Sequence, residues 1–349
     1  MKPEDIKKGN KLKVMIAGIG GASLGTELLK CLLLAGRYEV FGCDVSPTAY
    51  GIYELGFRRT SVIDRDNYVS SVIKDCHDAG VHWLIPGGEE PMVLLGDATT
   101  QLNAAGITLV ANHPDVIRTF SDKSTTFECL RGHGVTTPHT VEVFSDADLK
   151  QIDMPCIIKP STGSGGSAMV FFAIDSNEAM TYADYIRRAG GCPLAQEYIS
   201  ADEGEFTVGV LSLPDGEAIG SIALRRSHDA KLSVISRGRG GIISSGYSQG
   251  YIGDFPAILE RAETIAGAVG NRGAMNIQGR VRNGELVPFE INPRFSASAY
   301  LRAMAGFNEV DILLQRLAFN EPAKPEPLRE GWYLRSLTEC YVSSGEMRA

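Results

Sequence analysis

Residues 273–298 read GAMNIQGRVRNGELVPFEINPRFSAS, and the rest of the chain is best read outward from them. Two β-favouring runs, 275–282 and 285–291, flank Asn283-Gly284, a pair that tolerates positive φ at both positions and suits a two-residue hairpin turn. Side chains alternate faces along a strand, so Glu290 and Asn292 project together, and Gln278 on the partner strand can face them across the hairpin. A carboxylate and two amide carbonyls are hard oxygen ligands, the kind that Mg²⁺ takes when nucleotide phosphates complete its octahedron. Arg294 adds a permanent positive charge two residues further on, where a phosphoryl group in transfer would need it. On spacing alone, a surface hairpin with incidental polar groups fits the same residues equally well.

A chain of 349 residues has room for two or three compact units, and 44% hydrophobic content fits a folded globular protein. The net charge of -8 argues against nucleic acid as a partner, while local Arg and Lys can still hold a small anion such as ATP. The seven cysteines, an odd number without a C-x-x-C pair, fit a reduced cytoplasmic chain. No leader-like segment opens the sequence, and no run approaches the roughly 18 apolar residues of a membrane span.

Near the start, an apolar strand over 11–17 leads through Gly18-Ile19-Gly20-Gly21-Ala22-Ser23-Leu24-Gly25 into an amphipathic helix reaching about residue 35. A second strand, 38–43, ends at Asp44. This imitates a dinucleotide-binding fingerprint, except that the third glycine is Gly25 and Ser23 stands where the motif needs one. A tight strand-to-helix turn explains the glycines equally well. A strand over 81–85 opens a helix with Glu89 and Glu90 in its first turn, where the helix dipole favours acids. A last strand of this unit is expected over 107–111. Further on, an apolar strand carrying Lys159 runs into Ser161-Thr162-Gly163-Ser164-Gly165-Gly166-Ser167. Small residues let backbone N–H groups approach phosphate oxygens. It is no P-loop, because no G-K-[ST] closes it and a strand, 168–173, follows. Strands 205–213 and 217–226 meet at the turn Pro214-Asp215-Gly216. The glycine- and serine-rich run 227–250 suits a mobile lid or a plain solvated loop.

The phrase N-x-Q, then E-x-N-P-R-x-S-x-S, carried by Asn276, Gln278, Glu290, Asn292, Pro293, Arg294, Ser296 and Ser298, resembles the metal-binding hairpin of the ATP-grasp superfamily. It is most similar to the synthetase halves of the carbamoyl-phosphate synthase large chain. The resemblance covers about 112–320 by motif order and the first unit by architecture. It implies a mixed α/β and α+β fold with a Rossmann-like N-terminal domain (1–111) and a two-lobed ATP-grasp domain. The small lobe would span 112–192, the large lobe 193–325, and a tail 326–349. It also implies that Gln278, Glu290 and Asn292 bind Mg²⁺, for which Mn²⁺ could stand in, and that Arg294 and Arg226 act in phosphoryl transfer. Lys123, Lys159, Ser164, Gly165, Gly166 and Ser167 would meet the ATP phosphates. Gln196, Glu197, Tyr198 and Ile199 would form the adenine pocket, and Glu205, or alternatively Glu203, would hold the ribose. Gly20, Glu89 and Ser296 would border the small substrate.

The implied activity is carboxylate-amine ligation through an acyl phosphate, releasing ADP and phosphate. Its partners would be a small acid and an amine, with a homodimer left open. One synthetase-like unit, with neither glutaminase nor biotin-carrier segment in view, argues against carbamoyl-phosphate synthesis itself. A nicotinamide-dependent oxidoreductase using the first glycine turn, and a non-catalytic ATP sensor, are the rival expectations.

Overall fold

Alternation of apolar strands with amphipathic helices over the first third of the chain is the pattern that yields a parallel sheet covered on both faces. The computed structural model describes residues 11–21, 24–162, 169–238 and 241–348. It begins with β1 (Leu12–Ala17), α1 (Leu24–Ala35), β2 (Tyr38–Asp44), β3 (Arg59–Val62), α2 (Tyr68–Ala79), β4 (Trp83–Pro86), α3 (Glu89–Asp97), α4 (Thr99–Ala104) and β5 (Thr108–Leu109). These strands pair in parallel in the order β3-β2-β1-β4-β5, so the winding reverses between β1 and β4. At that switch point a Cβ on Gly25 would lie 2.1 Å from the Gly18 carbonyl oxygen, and one on Gly87 would lie 1.9 Å from it. Close packing of two strand-to-helix turns therefore accounts for glycine at 25 and 87.

The next segment comprises α5 (Pro114–Ser121), α6 (Lys123–Gly132), β6 (Thr140–Glu142), α7 (Asp146–Leu149), β7 (Cys156–Pro160), β8 (Phe171–Ala173), α8 (Ser176–Arg188) and β9 (Pro193–Glu197). Its strands form an antiparallel sheet ordered β6-β9-β7-β8. Ala179, Ala183 and Ile186, one face of α8, cover it. The strand expected over 168–173 is observed as the shorter β8, and Ser164, Gly165, Gly166 and Ser167 lie outside the described residues.

The third segment runs β10 (Glu205–Ser212), β11 (Ala218–Arg226), β12 (Val234–Gly238), β13 (Gly241–Ser244), β14 (Gly250–Ile252), α9 (Pro256–Ala268), β15 (Ala274–Arg282), β16 (Glu285–Asn292), α10 (Ala299–Met304), α11 (Glu309–Phe319) and β17 (Gly331–Tyr333). Six of the strands build the sheet β16-β15-β10-β11-β14-β17. Helix α9 packs on one face, while α10 and α11 pack on the other and against α1. Leu28 and Val40 of the first segment thus share one apolar core with Phe307, Leu313 and Leu224. Two expectations change. The run 227–250 contains the antiparallel hairpin β12-β13 and, in β14, a member of the large sheet. The tail, on which the sequence is silent, contributes the edge strand β17. Among the described residues, no helix is long and apolar enough to cross a membrane.

Candidate active site

Asn283 and Gly284 turn the β15-β16 hairpin with φ of 55° and 78°, left-handed values that asparagine tolerates and that glycine, lacking a Cβ, adopts freely. Glu203 caps this turn, its carboxylate accepting from the Asn283 and Gly284 amides at 2.9 Å each. The register sets Gln278 opposite Glu290 and Asn276 opposite Asn292, as the alternation of side chains requires. Between Gln278 and Gly279 the register slips, and Phe289 becomes the extra residue of a bulge. Its carbonyl accepts from Lys159 Nζ at 3.2 Å, so the bulge fixes where β7 and the hairpin meet.

On the shared face Gln278 Nε2 donates to Glu290 Oε2 at 3.3 Å, and Gln278 Oε1 accepts from Arg226 Nη1 at 3.4 Å. Asn292 Oδ1 accepts from Arg294 Nη2 at 3.3 Å. One carboxylate and two amide oxygens are thereby gathered, each held by a neighbour at the outer limit of hydrogen bonding. Among the described residues no cluster of three or more His, Cys, Asp or Glu could hold a metal by itself. The set gathered here fits a hard cation that brings phosphate oxygens with it. Burial depresses the Arg294 guanidinium, while the charges of Glu89, at the start of α3, and then of Glu290 act against it.

A cleft of about 660 Å³ of open space lies alongside, between the four-stranded and six-stranded sheets. Lys123, Lys159, Gln196, Glu197, Tyr198, Ile199 and Glu290 line it. Asp122 caps α6 by accepting from the Thr125 amide, which places Lys123 at the first helical position. The Lys123 amide donates to the Ser161 carbonyl at 3.0 Å, joining this helix start to the glycine- and serine-rich run. Lys159 is 5% exposed and donates to Gln196 Oε1 at 2.9 Å. Burial, assisted by Lys123 and opposed by Glu290, pushes its pKa down to about 7. Glu197 pairs with Arg282 and accepts from the His139 amide, so its carboxylate is already shared. The Tyr198 hydroxyl accepts from the Ile242 amide at 3.1 Å, which attaches β13 to the cleft wall.

Glu205, expected to hold the ribose, lies behind the cleft wall, against Arg280 that lines it. Its side chain is fully buried, 2.9 Å from Arg280 Nε and 3.4 Å from Arg226 Nε, with His228 also facing it. Burial alone would raise the carboxyl, but Arg226, Arg280 and His228 outweigh it and hold it below its ordinary range. Both arginines take its charge, and Glu203, the alternative, is engaged at the hairpin turn. Gly20 lines a different crevice with Asp44 and Gly87, at the ends of the parallel strands. There Asp44 accepts from the Ile19 amide at 2.8 Å and the Ser46 amide at 3.0 Å, so the acid that imitated a dinucleotide motif is occupied by backbone. Ser296 is buried and hydrogen-bonded to Ser298 at 2.8 Å.

Sequence reasoning passed over Arg280. Its three nitrogens reach Glu205, the Ile199 carbonyl at 2.7 Å and the Ile242 carbonyl at 2.7 Å, and its guanidinium lies 4.9 Å from the centre of the Tyr198 ring. The signal was present in the period-two spacing of Gln278, Arg280 and Arg282, which puts all three on one face. Asn276, part of the quoted phrase, accepts from Thr207 Oγ1 at 2.8 Å and Arg302 Nη2 at 2.6 Å, and so serves the core behind the site.

The ATP-grasp domain family matches residues 120–298. The chain is 27% identical over 212 residues to the carbamoyl phosphate synthase large chain of Vibrio cholerae, taking in 60% of this chain and 19% of that protein. It spans about a fifth of the length of the curated relatives it matches. Among solved structures it is similar to the biotin carboxylase domain of Hydrogenobacter thermophilus 2-oxoglutarate carboxylase, in complex with MgADP and bicarbonate. The TM-score is 0.65 and the identity 18%, covering 91% of this chain and 72% of that one. It is also similar to an L-amino acid ligase from Bacillus licheniformis, with TM-score 0.65, 16% identity and coverage of 91% and 75%. At such identities the likeness to the two structures is one of fold.

Proposed function

The chain belongs to the ATP-grasp family, and from that premise we propose that it joins a small carboxylate to an amine, with ATP converted to ADP and phosphate. The carrying observation is that Gln278 and Glu290 meet across the hairpin, with Asn292 two residues further along the same strand, beside a cleft whose wall holds Glu290 and Lys159. Bound Mg²⁺ or Mn²⁺ would neutralise the phosphate oxygens as the γ-phosphoryl group leaves ADP. In this reading Lys123 and Lys159 hold the phosphates, Ser164, Gly165, Gly166 and Ser167 cover them, and Gln196, Glu197, Tyr198 and Ile199 receive the base. Glu205 keeps Arg226 and Arg280 in position in place of touching the ribose.

The acid's carboxylate oxygen attacks the γ-phosphorus as the bond to the ADP oxygen breaks, with Arg294 and Arg226 stabilising the charge on the phosphoryl oxygens. The amine then attacks the acyl carbon, loses its proton, and expels phosphate. Glu89 and Ser296 border the acid. The first 111 residues form a Rossmann-like domain, 112–192 the small lobe, 193–325 the large lobe, and 326–349 the tail. The names of the two similar structures, one holding MgADP and one an amino acid ligase, support the nucleotide and the ligation respectively.

The test is ADP release from MgATP across pairs of small acids and amines. Glu290→Gln is expected to lower kcat by about a hundredfold or more, a loss in the range seen when an electrostatic group is removed from a reaction centre. Its circular dichroism and melting temperature should be unchanged. Wild-type protein that binds MgADP yet releases none with any pair would leave the sensor as the better reading.

A further inference from the structure

Where the winding of the parallel sheet reverses, the carboxyl ends of β1, β2 and β4 open into a crevice that phosphoryl transfer does not use. Open parallel sheets take small ligands at such a point, because the loops on either side of it diverge. The crevice offers about 690 Å³ of open space, with Asp44, Arg65, Tyr68 and Glu90 as its polar lining and Val45 and Leu94 on its apolar wall.

Tyr68, the first residue of α2, carries the strongest sign of a missing contact. Its hydroxyl oxygen is buried and has no hydrogen-bond partner among the described residues. Burial, then the charges of Cys43, Asp44 and Glu90, raise its pKa, so it remains a proton donor at neutral pH. Asp44 supplies the complementary acceptors. Its two oxygens accept one amide each, from Ile19 at 2.8 Å and Ser46 at 3.0 Å. A carboxylate has about four lone-pair directions, so each oxygen keeps one for a ligand. Two acceptors side by side on one planar group suit a vicinal diol.

Charge decides what else the ligand carries. At the rim Arg65 Nη1 donates to Glu90 Oε1 at 3.0 Å, both side chains being exposed, and Asp44 is left as the unbalanced charge. A phosphate would meet net repulsion there. A dinucleotide is disfavoured twice over, since Ser23 stands where the close approach of a pyrophosphate needs glycine. Val45 directly follows Asp44, and Leu94 of α3 is 38% exposed, so a flat apolar group beside the diol would cover surface now open to water.

We propose that this crevice binds an uncharged nucleoside, its ribose 2′- and 3′-hydroxyls donating to Asp44, its base against Val45 and Leu94, and one of its acceptors on the Tyr68 hydroxyl. The site is separate from the ATP cleft and does not depend on the ligase reading.

The experiment is calorimetric titration of the full chain with adenosine, guanosine, cytidine and uridine, and with the 2′,3′-dideoxy form of each. At least one ribonucleoside is expected to bind, to stay bound with saturating MgADP present, and to bind about tenfold or more tightly than its dideoxy form, as hydrogen bonds to a charged acceptor imply. Tyr68→Phe should weaken that binding about fivefold, the effect of one neutral hydrogen bond, while the melting temperature holds or rises because the hydroxyl has no protein partner to lose. Leu94→Trp, at an exposed wall position, should block the crevice and leave MgADP affinity unchanged. Absence of binding by all four ribonucleosides, equal binding of the dideoxy forms, displacement by MgADP, or full binding by both variants overturns the proposal.

Discussion

Lys159 carries the most direct consequence of burial. With its pKa pushed down to about 7, it is largely charged at pH 6 and largely neutral at pH 9 in the free protein. A bound polyphosphate restores the charge. Binding MgADP near pH 8 should therefore take up a proton, and affinity should fall as pH rises through 7. Calorimetry in two buffers of different ionisation enthalpy measures this, and Lys159→Gln should abolish both the uptake and the pH dependence. Arg302 makes the opposite case, a buried charge serving the fold. It is 0% exposed, donates to Thr207 and Asn276, and lies 3.4 Å from Glu309. Arg302→Met should cost about 3–5 kcal/mol in urea denaturation, because Glu309 is left buried without its partner. Burial already raises the Glu309 carboxyl, so a folded state that holds its proton gains stability as pH falls, and the deficit should shrink in acid. Replacing Glu309 by Met as well should restore most of the loss.

The β15-β16 hairpin depends on its turn and on its bulge. Gly284 holds φ of 78°, a conformation that costs a β-branched residue about 1–3 kcal/mol. Gly284→Val should lower the unfolding free energy read from urea denaturation by that amount, and change MgADP affinity little, because Gln278 and Glu290 lie half a strand away. The β12-β13 hairpin is joined to the site differently, through Arg280 to the Ile242 carbonyl and through Tyr198 to the Ile242 amide. An ammonium lacks the planar fork that reaches Glu205, Ile199 and Ile242 at once. Arg280→Lys is therefore expected to weaken nucleotide binding by about tenfold in calorimetry, the effect of losing one or two charge-assisted hydrogen bonds. That run had suggested a lid or plain loop because glycine and serine carry no strand signal of their own. The close approach of Gly241 to Phe172, where a Cβ would stand 2.4 Å from the ring, shows that glycine is there for packing.

Across the whole molecule, one apolar core passes from one face of the parallel sheet into the helices under the six-stranded sheet, so that face is closed only by the third segment, while the opposite face closes over α2, α3 and α4 within the first segment. Tyr38 seals the junction by donating to Asp311 at 2.6 Å, as Asn112 does by donating to Asn271 at 2.6 Å. Thermal unfolding followed by tryptophan fluorescence and by far-ultraviolet dichroism should therefore give one coincident transition, and residues 1–111 expressed alone should not fold cooperatively. Two separated transitions would contradict this continuity. The sequence by itself determined the β15-β16 hairpin and its turn, the Lys159 strand and the parallel alternation at the start, because period-two faces, positive-φ turns and strand-helix patterning act between near neighbours in the chain. Tertiary structure alone decided that Glu205 lies enclosed by arginines, that Arg280 joins three elements, and that Arg335 of the tail reaches Glu27 of α1. Each of those contacts spans dozens to hundreds of residues and exists only through the order in which the strands assemble, an order no local preference encodes.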